Sequence, residues 1–298
     1  MSIRITMLGT GAALADPDRG HSSILLTVGG RHYLLDIGHG ATRQMVRANV
    51  NPATVNHVFI SHLHFDHIED SAYFLIASWM ANRSVKPQIF GPPGTREFVD
   101  HLLENGAFKL DIAARARYKQ RAESMEMIRP AVTEFAPGVI FDDGTVRIEA
   151  DYVDHIEAPI LHCFGFRVVA GGKVIAFSGD TKPCATMRRF ARDADLLIHE
   201  CTFPEEALEF RRHTQIGTND HTSPYELGKL AAEAGAKQVV ATHFGHFDTT
   251  NPVLKSYLKN HMPIDMVGPG FMESVVTDIR KSYQGPLRLA HDLMRIDL

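Results

Sequence analysis

Cysteine is scarce in this chain: three occur in 298 residues. Cys163, Cys184 and Cys201 are odd in number and far apart, which excludes the disulfide framework of a small secreted domain and points to a reducing, cytoplasmic setting. Long apolar runs are missing as well. None approaches the ~20 residues that a membrane span needs, and Met1-Ser2-Ile3-Arg4-Ile5 enters a strand-like pattern without the apolar core of a signal peptide. There is no surplus of basic charge: 31 Lys plus Arg stand against 35 Asp plus Glu, a formal net charge of −4. A general field for nucleic acid is thereby excluded, though a local basic patch is not. No linker, low-complexity segment or solenoid-period repeat divides the chain, so one domain over 1–298 is expected. A Gly-x-Ser-x-Gly nucleophile elbow is absent, and Gly9-Thr10-Gly11 fits neither a phosphate loop nor a dinucleotide fingerprint.

What is present is a globular composition, 44% hydrophobic and 22% charged, and an unusual supply of histidine, 17 residues against 7 tyrosines. Strand patterns run over 3–8, 23–28 and 32–37, the last two joined by the hairpin signal Gly29-Gly30-Arg31. Further strands are expected at 57–61, 88–90, 132–135, 144–153, 163–169, 173–178, 195–199 and 237–242, with a last one over 288–298. Helical spacing marks 41–49, 71–81, 95–105, 223–234 and 272–283. Ser223, Pro224 and Glu226 together make the start of a capped helix. Two packed sheets with outer helices fit this order. Residues 109–129, with six Lys or Arg, read as a basic, partly helical excursion: a solvated face, a lid over a site, or a contact between subunits.

Histidine, the usual metal ligand and proton shuttle, clusters where strands end. Ile60-Ser61-His62-Leu63-His64-Phe65-Asp66-His67 leaves an apolar strand as a loop. Residues two apart on a strand end point the same way, so His62 and His64 can reach one ion, while Asp66 and His67 face a second point after the turn. Imidazole with carboxylate suits zinc or another first-row divalent ion. Three more strand ends deliver matching donors: Asp180 after Val174–Phe177, His243 after Gln238–Val240, and His155 after the strand ending at Val153. A carboxylate such as Asp180 can bridge two ions about 3.5–4 Å apart. His162 is an alternative to His155, which is preferred because it follows a strand and precedes the turn at Ala158-Pro159.

His62-Leu63-His64-Phe65-Asp66-His67 resembles the signature of the metallo-β-lactamase superfamily. Leu8-Gly9-Thr10-Gly11, Ser178-Gly179-Asp180-Thr181, Ile198-His199-Glu200-Cys201-Thr202-Phe203, His221-Thr222-Ser223 and Ala290-His291-Asp292-Leu293-Met294 resemble its ribonuclease Z branch. The resemblance implies an αββα sandwich and a binuclear hydrolase with two divalent ions, Zn²⁺ first and Mn²⁺ or Fe²⁺ as alternatives. It implies that His62, His64 and His155 hold one ion, that Asp66, His67 and His243 hold the other, and that Asp180 bridges them. His221 resembles the family's catalytic histidine, with Glu200 as its partner and Asp66 orienting the attacking hydroxide. His21, His39, His199 and His246 match no ligand position. Iron oxidoreductases of this fold carry a carboxylate where His64 stands here.

Two divalent ions lower the pKa of a bridging water, and His221 can protonate the leaving group. Members of the branch that process transfer-RNA precursors commonly carry a long arm between the Gly165-Phe166-Arg167 and Ser178-Gly179-Asp180 strands. Here only 168–177 lie between, with no room for an arm. The expected substrate is therefore a small phosphodiester or other ester, turned over by a cytoplasmic homodimer with no membrane partner, RNA being a less favoured partner. Transfer-RNA 3′ processing and lactone or aryl sulfate hydrolysis are the alternatives.

Overall fold

The computed structural model describes residues 1–103, 105–211, 220–259 and 267–298. The chain forms two units, one of residues 1–9, 20–136 and 292–298, the other of 10–19 and 137–291. Among the described residues no helix is long and apolar enough to cross a membrane.

The first unit is built on a seven-stranded sheet in the order β14-β1-β2-β3-β4-β5-β6. Its strands are β1 (Ile3–Gly9), β2 (Ser23–Val28), β3 (Arg31–Leu35), β4 (His57–Phe59), β5 (Gln88–Gly91), β6 (Ala131–Glu134) and β14 (Arg295–Asp297). β2 and β3 pair antiparallel through the predicted hairpin, and Gly29 and Gly30 hold φ 55° and 85°, the left-handed pair that a two-residue turn needs. From β3 to β6 the pairing is parallel. Parallel neighbours need crossovers. Helices α1 (Ala41–Arg47), α2 (Phe65–Ile68), α3 (Ser71–Met80) and α4 (Thr95–Leu102) lie in them. Leu34, Val58, Ile60, Phe74 and Trp79 are fully buried in this unit's core.

The second unit mirrors that plan: its seven strands run β13-β12-β11-β10-β9-β8-β7. They are β7 (Gly138–Asp142), β8 (Val146–Tyr152), β9 (Phe164–Ala170), β10 (Lys173–Phe177), β11 (Leu196–Glu200), β12 (Val239–Thr242) and β13 (Leu287–Leu289). β7 to β10 are antiparallel and β10 to β13 parallel. β11 and β12 are buried along their whole length, as expected of apolar runs covered on both faces. Helices α7 (Ala185–Phe190), α8 (Glu205–Arg211), α9 (Pro224–Ala234), α10 (Pro252–Leu258) and α11 (Phe271–Arg280) complete the unit. The predicted capping box of α9 is formed: Glu226 N donates to Ser223 Oγ and Ser223 N to the Glu226 carboxylate.

Three expectations are corrected. Residues 288–298 are not one strand. β13 and β14 belong to different sheets, with a turn at Asp292-Leu293 between them. The stretch after β4 is not a pure loop, since residues 65–68 close a helical turn. β7 was not expected at all. It is a largely exposed edge strand with a bulge between Val139 and Phe141, so it lacks the alternation that marks a half-buried strand.

The basic excursion is part of the fold. It holds α5 (Lys109–Arg115), α6 (Lys119–Glu123) and a 3₁₀ turn at Met125–Met127. Arg121 donates to the carbonyls of Trp79 and Met80 at the end of α3, and Trp79 Nε1 donates to Ser124 Oγ at 3.0 Å. Ile112 and Ile128 are buried in the first unit's core. Excision of 109–129 therefore opens that core. Ile128→Ala should cost about 2–5 kcal/mol of stability, read by urea denaturation; an unchanged midpoint would show that the stretch is only a surface appendage.

Candidate metal centre

The parallel halves of the two sheets explain where the donors lie. Neighbouring parallel strands end on the same edge, and ligand sites of α/β sheets form outside those carboxyl ends. In the first unit β3 ends before Asp36 and β4 before Ser61-His62. In the second, β10 ends before Asp180, β11 with Glu200 and β12 before His243.

In the first unit His62, Asp66 and His67 are buried and His64 is half-buried. His62 Nε2 and His64 Nδ1 stand 3.0 Å apart, and His67 Nε2 lies 3.8 Å from Asp66 Oδ2. The fully buried Asp36 carboxylate organises this set. It accepts from Ser61 N at 2.7 Å, Ser61 Oγ at 2.8 Å and His67 Nδ1 at 2.7 Å. A proton held on His67 Nδ1 directs the Nε2 lone pair toward the Asp66 side.

The second unit repeats the pattern. His155 Nδ1 donates to the Asp220 carbonyl at 2.8 Å, and its Nε2 lies 4.0 Å from Asp180 Oδ2. His243 Nε2 lies 3.4 Å from the same oxygen. Thr202 Oγ1 donates to Glu200 Oε2 and so is an acceptor for His243 Nδ1, at 2.8 Å each. His67, His155 and His243 thus have Nδ1 engaged and Nε2 turned to a carboxylate. Ligand bonds of 2.0–2.2 Å in a tetrahedral shell put donor atoms about 3.4 Å apart. The His243–Asp180 spacing fits that figure, and neutral imidazole with carboxylate is the donor chemistry of a divalent first-row ion.

Beside these donors stands His221, whose Nδ1 is 2.9 Å from Glu200 Oε1. Glu200 is fully buried and also accepts from Thr181 N at 2.6 Å. Burial disfavours the His221 imidazolium, yet the Glu200 carboxylate, with Asp180 and Asp220 further off, lifts its pKa to about 9. Burial likewise works against the Glu200 carboxylate, and His221 holds it below the usual range. The ring of His221 lies 4.9 Å from that of His155 and 5.9 Å from that of His243.

Every predicted site residue thus lies in one of these two sets. His162, the alternative to His155, stands outside them beside the Tyr152 ring. His246 bonds Asp16 and Ala12, His199 the Glu200 carbonyl, and His21 and His39 share Glu69. Asp36 and Thr202 were not anticipated. The signal for Asp36 was a lone charge closing the apolar run Leu34-Leu35; Thr202 carried none. Asp36 and His243 hold φ of 56° and 58°, a left-handed backbone that non-glycine residues adopt mainly where surrounding contacts impose it. Asp36→Ala should weaken metal affinity by about 10- to 100-fold, measured by competition with a chromogenic chelator; unchanged affinity would reduce Asp36 to a structural carboxylate.

Residues 3–245 match the family model described as Anti-Pycsar protein Apyc1. The ribonuclease Z of Mycobacterium marinum is 35% identical over 246 residues, covering 81% of this chain and 86% of its own length. Among solved structures, the metallo-β-lactamase fold protein YhfI from Bacillus subtilis superposes with a TM-score of 0.73 at 19% identity, covering all of both chains. The human short-form tRNase Z gives 0.66 at 23% identity over 98% of each. Fold and donor sets together define a metal-dependent hydrolase of the metallo-β-lactamase fold. Within that superfamily the chain belongs to the family of the matched model, on the ribonuclease Z-like branch.

Proposed function

We propose that the two donor sets act as one binuclear centre and that the chain hydrolyses phosphodiester bonds in ribonucleotide substrates, as the ribonucleases to which it is similar are named for doing. His62, His64 and His155 would hold one ion, Asp66, His67 and His243 the second, and Asp180 both, with Zn²⁺ suited to so imidazole-rich a set. When bound, two such ions supply a nucleophile at neutral pH and neutralise charge on the phosphoryl oxygens. The chain's own residues do the rest. Asp36, Thr202 and the Asp220 carbonyl fix three imidazole tautomers, so each presents Nε2. His221 carries a proton at neutral pH and is placed to give it to the leaving oxygen. Glu200 holds that imidazolium through Nδ1 and leaves Nε2 to act. The observation that carries this reading is the His221–Glu200 pair beside Asp180 and His243.

The 35% identity to a ribonuclease Z favours RNA over the small ester first expected. A second reading, a small phosphodiester, rests on β9 and β10. They join at Gly171-Gly172 with Ala170 paired to Lys173, leaving no arm to grip a large RNA. Metal-reconstituted protein should be assayed on a precursor transfer RNA, bis(p-nitrophenyl) phosphate, a lactone and an aryl sulfate. Cleavage of the RNA supports the first reading. Turnover of the diester with the RNA left intact supports the second. Hydrolysis of only the lactone or the sulfate contradicts both.

A further inference from the structure

Phe65 stands between two of the assigned donors, His64 and Asp66. The other residues of its helical turn, Asp66, His67 and Ile68, are buried, whereas Phe65 is 54% exposed. A scattered exposed apolar residue is ordinary, but this ring has a built support. The His21 ring meets it edge-on at 5.8 Å with an interplanar angle of 80°. The His39 ring in turn meets His21 at 5.8 Å and 60°. Glu69 stands beside both imidazoles, 3.3 Å from the Nδ1 of the buried His21 and 2.9 Å from the Nδ1 of the exposed His39.

The backbone is shaped to the same end. A side chain at Gly38 would collide with the Asp66 carbonyl oxygen and with His21, so glycine is what lets this segment lie against the helical turn. Ile37 N donates to the His67 carbonyl and Asp70 N to the Ile37 carbonyl, closing that contact from both sides. Phe65 is therefore an exposed aromatic ring packed on the buried His21, one residue from a donor on either side.

We propose that Phe65 is a specificity-determining residue: its ring stacks on a nucleobase next to the scissile phosphate. This rests on the phosphodiesterase reading and narrows it to substrates that carry a base there. Every base has a π-face, so such a platform binds bases without reading their sequence. The edge contact with the buried His21 ring restricts Phe65 on one side and so lowers the entropy lost on stacking.

The test compares an oligoribonucleotide with a matched one that is abasic on both sides of the scissile phosphate. Wild-type protein should prefer the base-bearing strand, and Phe65→Ala should lower the ratio of the two kcat/KM values by about 5- to 100-fold, mainly through KM. Phe65→Trp should restore the ratio. Metal content, measured on each variant, separates lost stacking from lost donors. A Phe65→Ala protein that keeps its metals and the wild-type ratio overturns the proposal, as does an equal loss on both strands. If wild type cleaves neither strand, the phosphodiesterase reading fails first and the platform falls with it.

Discussion

Asp180→Ala should leave less than about a thousandth of wild-type turnover and should strip the protein of metal, because in the proposed binuclear centre this one side chain would serve both ions. The expectation rests on the position of Asp180 Oδ2, 3.4 Å from His243 Nε2 and 4.0 Å from His155 Nε2. In that centre its removal would take away a ligand and also the negative charge that would screen one cation from the other. Asp180→Asn keeps the shape and one neutral oxygen, so it should retain more metal than the alanine variant while remaining poorly active. The measurement is metal content and rate on the same preparation. An Asp180→Ala protein with both ions and normal turnover would remove Asp180 from the centre.

His221→Ala should behave differently. No metal is assigned to His221, so the ions stay while kcat falls by roughly 10²–10⁴, the range for a positioned acid or base. Its raised pKa, about 9, means that it is protonated at neutral pH and can act as the acid. The loss should therefore shrink for diesters whose leaving group is already a stable anion. Glu200→Gln should follow in the same direction with a smaller effect, since the imidazole remains but its proton is held less firmly. Equal losses across a leaving-group series would place His221 in charge stabilisation instead of proton donation.

Strands β3 to β5 and β10 to β12 were legible in the sequence because buried strands read as apolar runs, and α9 because Ser223, Pro224 and Glu226 are local signals. The donor positions were legible from histidine and aspartate standing just after strand patterns, as at Ser61-His62, Gly179-Asp180 and Thr242-His243. What escaped was decided by tertiary contact. β7 pairs only at an edge and shows no alternation. The break between β13 and β14 depends on a change of sheet, which no periodicity reports. The 109–129 stretch looked like an appendage because its charge is visible, whereas Ile112, Ile128 and the Arg121 bonds to α3 emerge only when the chain is folded. Thr202 was silent for a similar reason, since a threonine after Cys201 says nothing of the two histidines and the carboxylate it touches.

The most direct test of the binuclear centre is elemental analysis of chain purified without chelator and resupplied with Zn²⁺. Close to two ions per chain are expected, falling together in Asp180→Ala. A content near zero after resupply, with the protein folded, would contradict that centre.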